Sequence, residues 1–217
     1  MPCTLFAHVE TWVFDLDNTL YPPETRLFDQ IEARMIAYVM QTLGVVADEA
    51  NRLRRLYLES HGTTLAGLMR EHGIDPVGYL AEVHDIDLTH VAPSVALREA
   101  IGRLPGRKIV YTNGSREHAR RVTTAVGLDG AFDRLYGVED AGYLPKPEAA
   151  AFGAIFALDG LEARRAAMFE DDHRNLRVPH SLGMRTVLVG PIASGSAAHP
   201  HVHHTTEDLA GFLGALA

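Results

Sequence analysis

Thr11-Trp12-Val13-Phe14-Asp15-Leu16-Asp17-Asn18-Thr19-Leu20-Tyr21-Pro22-Pro23 is the stretch on which the fold of this chain turns. Four β-prone residues run without polar alternation and then meet acidic and polar ones. That is the pattern of a strand buried on both faces of a parallel sheet as it reaches the sheet edge. Pro22 and Pro23 then break regular structure, because each fixes its own φ and biases the preceding residue away from helix. The chain is expected to leave the sheet there.

Beyond the prolines, from residue 24 to about residue 91, the period changes. Leu27, Ile31, Met35 and Val39 recur every fourth position, which marks one face of a helix. Further helices are predicted over 48–60, 65–72 and 76–83, separated by glycine-containing turns. Arg52, Arg54 and Arg55 read as a solvated helix face. After Ala92-Pro93, strands and helices alternate. Strands are predicted at 108–111, near 135–137, at 166–169 and 185–189, and once more with a final helix within 202–216; helices are predicted up to 104 and over 115–126, 148–158 and 176–182. This texture predicts an α/β fold, a doubly wound, Rossmann-like parallel sheet. The core is assigned to 1–20 and 92–217, interrupted by an inserted all-helical cap domain at 21–91. Residues 194–201 read as a surface loop.

The 217 residues are 47% hydrophobic and 22% charged, a globular composition able to bury a core. A formal net charge of -8 leaves no overall positive field for a polyanion, which excludes polymeric nucleic acid as the expected partner. Cys3 is the only cysteine, so no intramolecular disulfide forms. No apolar run is long enough to span a bilayer, and the expectation is a soluble cytoplasmic protein, monomer or homodimer, without a membrane partner.

Ligands of doubly wound sheets sit beyond the carboxyl ends of the strands. The residues just past the predicted strands are therefore the site candidates: Asp15 and Asp17; Thr112, Asn113 and Gly114; Lys146, ahead of a helix; and Glu170, Asp171 and Asp172. Asp15 and Asp17 are two apart, so in an extended segment they project on one face and repel unless a cation lies between them. Mg²⁺ suits such a pair, since it takes hard oxygen ligands and few protein carboxylates, and Asp171 adds another. The Thr112 hydroxyl and the backbone amides of Asn113 and Gly114 face an anion near the start of a helix capped by Ser115. Lys146 contributes a mobile point charge. Glu170 and Asp172 stand behind these groups, holding metal through water, orienting Lys146 or capping the next turn. Asn175 buttresses the same loop.

Asp-Leu-Asp-Asn-Thr at 15–19, Thr-Asn-Gly at 112–114, Lys146 before Pro147, and Glu170-Asp171-Asp172 with Asn175 occur in this order, with a helical segment between the first and second. The ordered set resembles the haloacid dehalogenase-like hydrolase superfamily over nearly the whole chain. The resemblance implies Asp15 as nucleophile and Asp17 as general acid and base. It implies Mg²⁺ held by Asp15, the backbone carbonyl of Asp17 and the side chain of Asp171, with Thr112 and Lys146 on the phosphate. Members of the superfamily that cleave carbon–halogen bonds generally lack the second acid, so Asp17 favours phosphoryl transfer. At finer grain, the opening motif, His61-Gly62-Thr63-Thr64-Leu65-Ala66-Gly67-Leu68 and His203-His204-Thr205-Thr206-Glu207-Asp208-Leu209 resemble the pyrimidine 5′-nucleotidase-type subfamily, which implies UMP or CMP as substrate.

Phosphoglycolate or sugar-phosphate hydrolysis, a phosphomutase and a non-catalytic phosphate-binding regulator stay open as alternatives. In every case the expected partner is a small phosphate ester. Thr63, Thr64 and Arg70 are the cap residues expected to face its leaving group. The run His199, His201, His203 and His204 reads as an edge strand entering a loop, with His201 and His203 on one face and His204 on the other, and no metal is assigned to it.

Overall fold

A computed structural model describes residues 5–190 and 199–216. Cys3 and positions 194–198 of the expected loop lie outside the described residues. The strands are β1 (Thr11–Phe14), β2 (Arg107–Tyr111), β3 (Arg134–Tyr136), β4 (Ala166–Glu170), β5 (Arg185–Val189) and β6 (His204–Thr206). They form one six-stranded sheet in the order β3-β2-β1-β4-β5-β6, with every pairing parallel. Between β1 and β2 lie α1 (Leu27–Leu43), α2 (Ala47–His61), α3 (Thr64–His72) and α4 (Pro76–Val83), within the segment expected to be all-helical; α5 (Val95–Arg103) leads into β2. The remaining helices are α6 (Arg116–Ala125), α7 (Ala149–Asp159), α8 (Arg177–Ser181) and α9 (Leu209–Gly214).

β1 and β4 are buried along their whole length, which is why both read as unbroken apolar runs. Successive side chains leave opposite faces of a strand. Trp12 and Phe14 accordingly join Val110 and Phe169 in one apolar cluster, while Val13 joins Ile109 and Met168 in another. Phe14 stacks on Phe169 with ring centroids 4.8 Å apart. From β1 the chain steps outward to β2 and β3, then returns to β4 on the other side of β1. That reversal opens a crevice beyond the carboxyl ends of β1 and β4.

The inserted helices carry a cluster of their own, built on Val39, Ala50, Tyr57, Leu68 and Tyr79. Gly67 permits a close approach within it: a Cβ at this position would stand 2.3 Å from the Tyr57 ring. The start of α1 belongs instead to the sheet-side cluster, through Leu27 and Ile31. Strand β4 runs one residue further than expected and includes Glu170, which is 1% exposed.

Candidate active site

Phe14 is level with Val110 on β2 and with Phe169 on β4, so Asp15, Tyr111 and Glu170 arrive together at the carboxyl edge of the sheet. The Asp15 amide still donates to the Phe169 carbonyl at 2.9 Å, and the chain then turns. Asn18 takes the left-handed conformation at φ 60°, which asparagine tolerates better than most residues. Its side-chain amide lies 3.4 Å from Asp171 Oδ2, linking the turn after β1 to the turn after β4.

Lys146 fills the space between these strand ends and is 1% exposed. Its Nζ donates to Asp15 Oδ1 at 2.6 Å and to the Tyr111 carbonyl at 3.0 Å, and lies 3.4 Å from Glu170 Oε1. Asn113 clasps the lysine's backbone, accepting from the Lys146 amide at 2.7 Å and donating to its carbonyl at 3.1 Å. Thr112 Oγ1 accepts from the Gly114 amide at 2.9 Å. The Gly114 amide, expected from sequence to point at an anion, is thus engaged locally, while the Thr112 hydroxyl proton stays available to an acceptor. Glu170 also accepts from Asn175, so the expected support of this loop by Asn175 runs through Glu170. Asp172 caps the turn His173–Leu176 and pairs with Arg174 at 2.6 Å.

Asp15, Glu170 and Asp171 each place a carboxylate oxygen within 4.8 Å of the others. Burial, and the charge of Asp15 beside them, pushes Glu170 well above the usual carboxylate range and Asp171 up to about 7. Burial raises Asp15 as well, against the pull of Lys146. For Lys146, burial opposes charge, but Asp15 and Glu170 outweigh it and keep the ammonium ionised. One lysine against three carboxylates leaves an excess of negative charge, and Glu170 Oε2 is buried without a hydrogen-bond partner among the described residues. An all-oxygen donor set of this kind fits a hard divalent cation such as Mg²⁺. The Asp17 carboxylate is not part of this group.

The Asp17 side chain instead ends a network that the sequence reading missed. Asp17 Oδ1 accepts from Tyr21 at 2.6 Å and meets His118 Nε2 at 2.9 Å. His118 is 1% exposed and stacks on His84 with centroids 4.2 Å apart; His84 Nδ1 reaches Ser115 Oγ at 3.1 Å. Burial acts to raise Asp17, but His118, supported by the Tyr21 hydroxyl, outweighs it and holds the carboxyl below its ordinary value. The sequence-level signal for His118 was its place one turn into the helix that Ser115 caps.

These groups floor a cleft of about 280 Å³, whose opposite wall comes from the inserted helices. Thr63 and Thr64 line it as expected. Thr63 Oγ1 caps α3 by accepting from Ala66 at 3.1 Å. Arg70 is exposed and takes no part in the lining. Arg54, expected on a solvated face, is buried and lines the cleft, paired with Glu32 and bonded to Asn51. Its spacing from Ala50 and Tyr57, both buried on α2, was the available signal. Tyr79 completes this wall with a buried hydroxyl.

The model of one family, described as haloacid dehalogenase-like hydrolase, matches residues 9–183. Phosphate metabolism protein 8 of Saccharomyces cerevisiae is 28% identical over 196 residues, covering 82% of this chain and 61% of that protein. The chain therefore spans about three fifths of the length of this curated relative (61%). Among solved structures, CbbY from Rhodobacter sphaeroides in complex with phosphate is similar at a TM-score of 0.65 and 18% identity, with 93% of this chain and 95% of that one covered. YfnB from Bacillus subtilis, bound to magnesium, is similar at a TM-score of 0.58 and 17% identity, with 96% and 98% covered. At these identities the two solved structures establish a common fold.

Proposed function

The chain belongs to the haloacid dehalogenase-like hydrolases, and from that premise we propose that it is a Mg²⁺-dependent phosphatase that passes the phosphoryl group of a small monoester through Asp15. One observation carries this reading: the Asp15 carboxylate is buried at the base of a cleft, held at 2.6 Å by Lys146 and flanked by two further carboxylates. A carboxylate nucleophile divides a hard displacement into two easier ones.

In the first step an Asp15 oxygen attacks phosphorus, the bond to the ester oxygen breaks, and Asp17 protonates the departing alcohol. In the second, Asp17 takes a proton from water as that water attacks the aspartyl-phosphate. Inorganic phosphate leaves and Asp15 is restored. With no ester present, His118 and Tyr21 favour ionised Asp17, the form needed in the second step. An incoming phosphate dianion raises the carboxyl by like-charge repulsion, toward the form needed in the first. Lys146 and the Thr112 hydroxyl hold the phosphoryl oxygens. Mg²⁺, on Asp15, the Asp17 carbonyl and Asp171, would neutralise their charge.

The inserted helices, 21–91, act as a cap that excludes water from the first step. The proposed substrate is a pyrimidine nucleoside monophosphate. Support comes from the subfamily resemblance, from a relative named for phosphate metabolism, and from the Arg54, Thr64 and Tyr79 wall, which offers polar groups to a leaving group. A cleft of about 280 Å³ lies at the small end of ligand sites, so a nucleotide enters with the cap lifted. Phosphate release with Mg²⁺ across nucleoside monophosphates, phosphoglycolate and sugar phosphates tests the reading. Turnover led by UMP or CMP is expected. Preference for a smaller ester removes the nucleotide assignment and keeps the chemistry, whereas isomerised sugar phosphate without phosphate release replaces the hydrolase by a mutase.

A further inference from the structure

His173 sits between Asp172 and Arg174 in the loop after β4. Both neighbours line the cleft, and His173 does not. Its ring instead meets His199 and His201, which arrive on the approach to β6. His173 Nδ1 lies 3.3 Å from His201 Nε2. The His199 ring lies on the His173 ring with centroids 3.7 Å apart and planes 7° apart. One nitrogen from each of the three falls within 4.8 Å of the others. Two imidazole nitrogens sharing a tetrahedral ion at about 2.0–2.1 Å stand roughly 3.3–3.4 Å apart, which is the spacing of the His173 and His201 nitrogens.

The surrounding hydrogen bonds select these three rings. Thr186 is fully buried and donates to the His201 carbonyl at 2.8 Å, fixing the backbone that carries one of them. The same hydroxyl lies 2.8 Å from His203 Nδ1, which occupies that ring. His204 falls inside β6 and packs tilted against Phe6, with centroids 5.3 Å and planes 41° apart. His173 is 26 and 28 positions from its two partners, a separation no local pattern reveals.

We infer that His173, His199 and His201 form a site for one late first-row divalent ion, Zn²⁺ by preference, distinct from the oxygen-donor group at Asp15, Glu170 and Asp171. Three neutral imidazoles suit zinc, cobalt or nickel, whereas hard oxygen donors suit magnesium. The His199 ring swings out of its stack to bring its nitrogen onto the ion, and water takes the fourth position. A bound ion ties the approach to β6 to the loop that carries Asp171, from outside the cleft.

Isothermal titration of the full chain, without a histidine tag and in excess Mg²⁺, tests this with Zn²⁺ as probe. One ion is expected to bind with micromolar or tighter affinity. His173→Ala and His201→Ala should each weaken it on the order of tenfold or more, with Asp171→Asn leaving it unchanged. Wild-type affinity in both histidine variants, loss of binding in Asp171→Asn, or no uptake by the wild-type chain overturns the site. Should a histidine variant misfold, Co²⁺ added to the wild-type chain decides. Intense visible bands of a low-coordinate, nitrogen-bound ion support the site, and the weak bands of an octahedral oxygen-bound ion refute it.

Discussion

Asp15 and Lys146 are 131 residues apart in sequence and 2.6 Å apart in the fold. The sequence placed both at the site, and their burial sets what each substitution should do. Asp15→Asn keeps nearly the same shape and removes the nucleophile, so phosphate release should vanish while the far-ultraviolet circular dichroism of the chain is retained; measurable turnover in this variant would end the aspartyl-phosphate route. Lys146→Met strands three carboxylates without their cation. Breaking a buried pair from one side costs about 3–5 kcal/mol, to be read from urea denaturation in EDTA, with Mg²⁺ restoring part of it. A loss under about 1 kcal/mol, the range of exposed pairs, would mean that water already screens the cluster. His118 acts through Asp17. In His118→Ala, loss of the 2.9 Å contact lets the Asp17 carboxylate drift, and misplacement of a catalytic group by about 1 Å can cost on the order of a hundredfold. The loss should fall on kcat with KM little changed; an unaltered kcat would leave the orientation of Asp17 to Tyr21 alone.

Among the elements, α2 runs one residue beyond the expected 48–60 at each end, and its facing departs from expectation at Arg54. Its residues 52, 54 and 55 looked alike as arginines, yet the helix turns Arg54 into the stripe of Ala50 and Tyr57 and leaves Arg52 and Arg55 exposed. Periodicity locates the helix, and the phase of Ala50 and Tyr57, rather than charge, sets the facing of Arg54. The partners that make a buried arginine tolerable, Glu32 on α1 and Asn51 on α2 itself, became visible only after α1 and α2 packed. Arg54→Leu should therefore reorder kcat/KM among phosphate esters, while Arg70→Ala, on the exposed side of α3, should leave the order unchanged. The reverse result would transfer the reading of the leaving group to the outer face of the insertion. The strands were legible almost to the residue, because β1 and β4 are buried throughout and show it in composition. β2 and β3 each begin one residue before the expected start, and β4 ends one residue later, at Glu170: an acidic side chain at the end of an apolar run resembles the start of a loop until Lys146 and Asn175 are seen to satisfy it.

In the whole molecule, the helical insertion meets α6 at His84, just after α4, which stacks on His118. Burial first, and then the neighbouring His118, depresses His84 to about 3 from its ordinary 6.5. Between those values the unfolded chain binds a proton that the folded chain refuses. The contribution of His84 to stability should therefore be fully present above about pH 6.5 and be lost as pH falls toward 3. Denaturation midpoints across that range should drop less steeply for His84→Gln than for the wild type; equal slopes would remove His84 as the source. By itself, the sequence determined the parallel α/β core, the helical insertion and the strand-end residues that gather at the cleft. Composition along a buried strand and the period of a helix are local properties, and a doubly wound sheet sends the residues past its central strands to one edge. The tertiary structure alone decided that His118 would reach Asp17 across 101 residues, that Glu32 of α1 would pair with Arg54, and that His173 would meet His199 and His201. Such contacts depend on how packed elements are rotated against one another, and no local pattern of residues records that rotation.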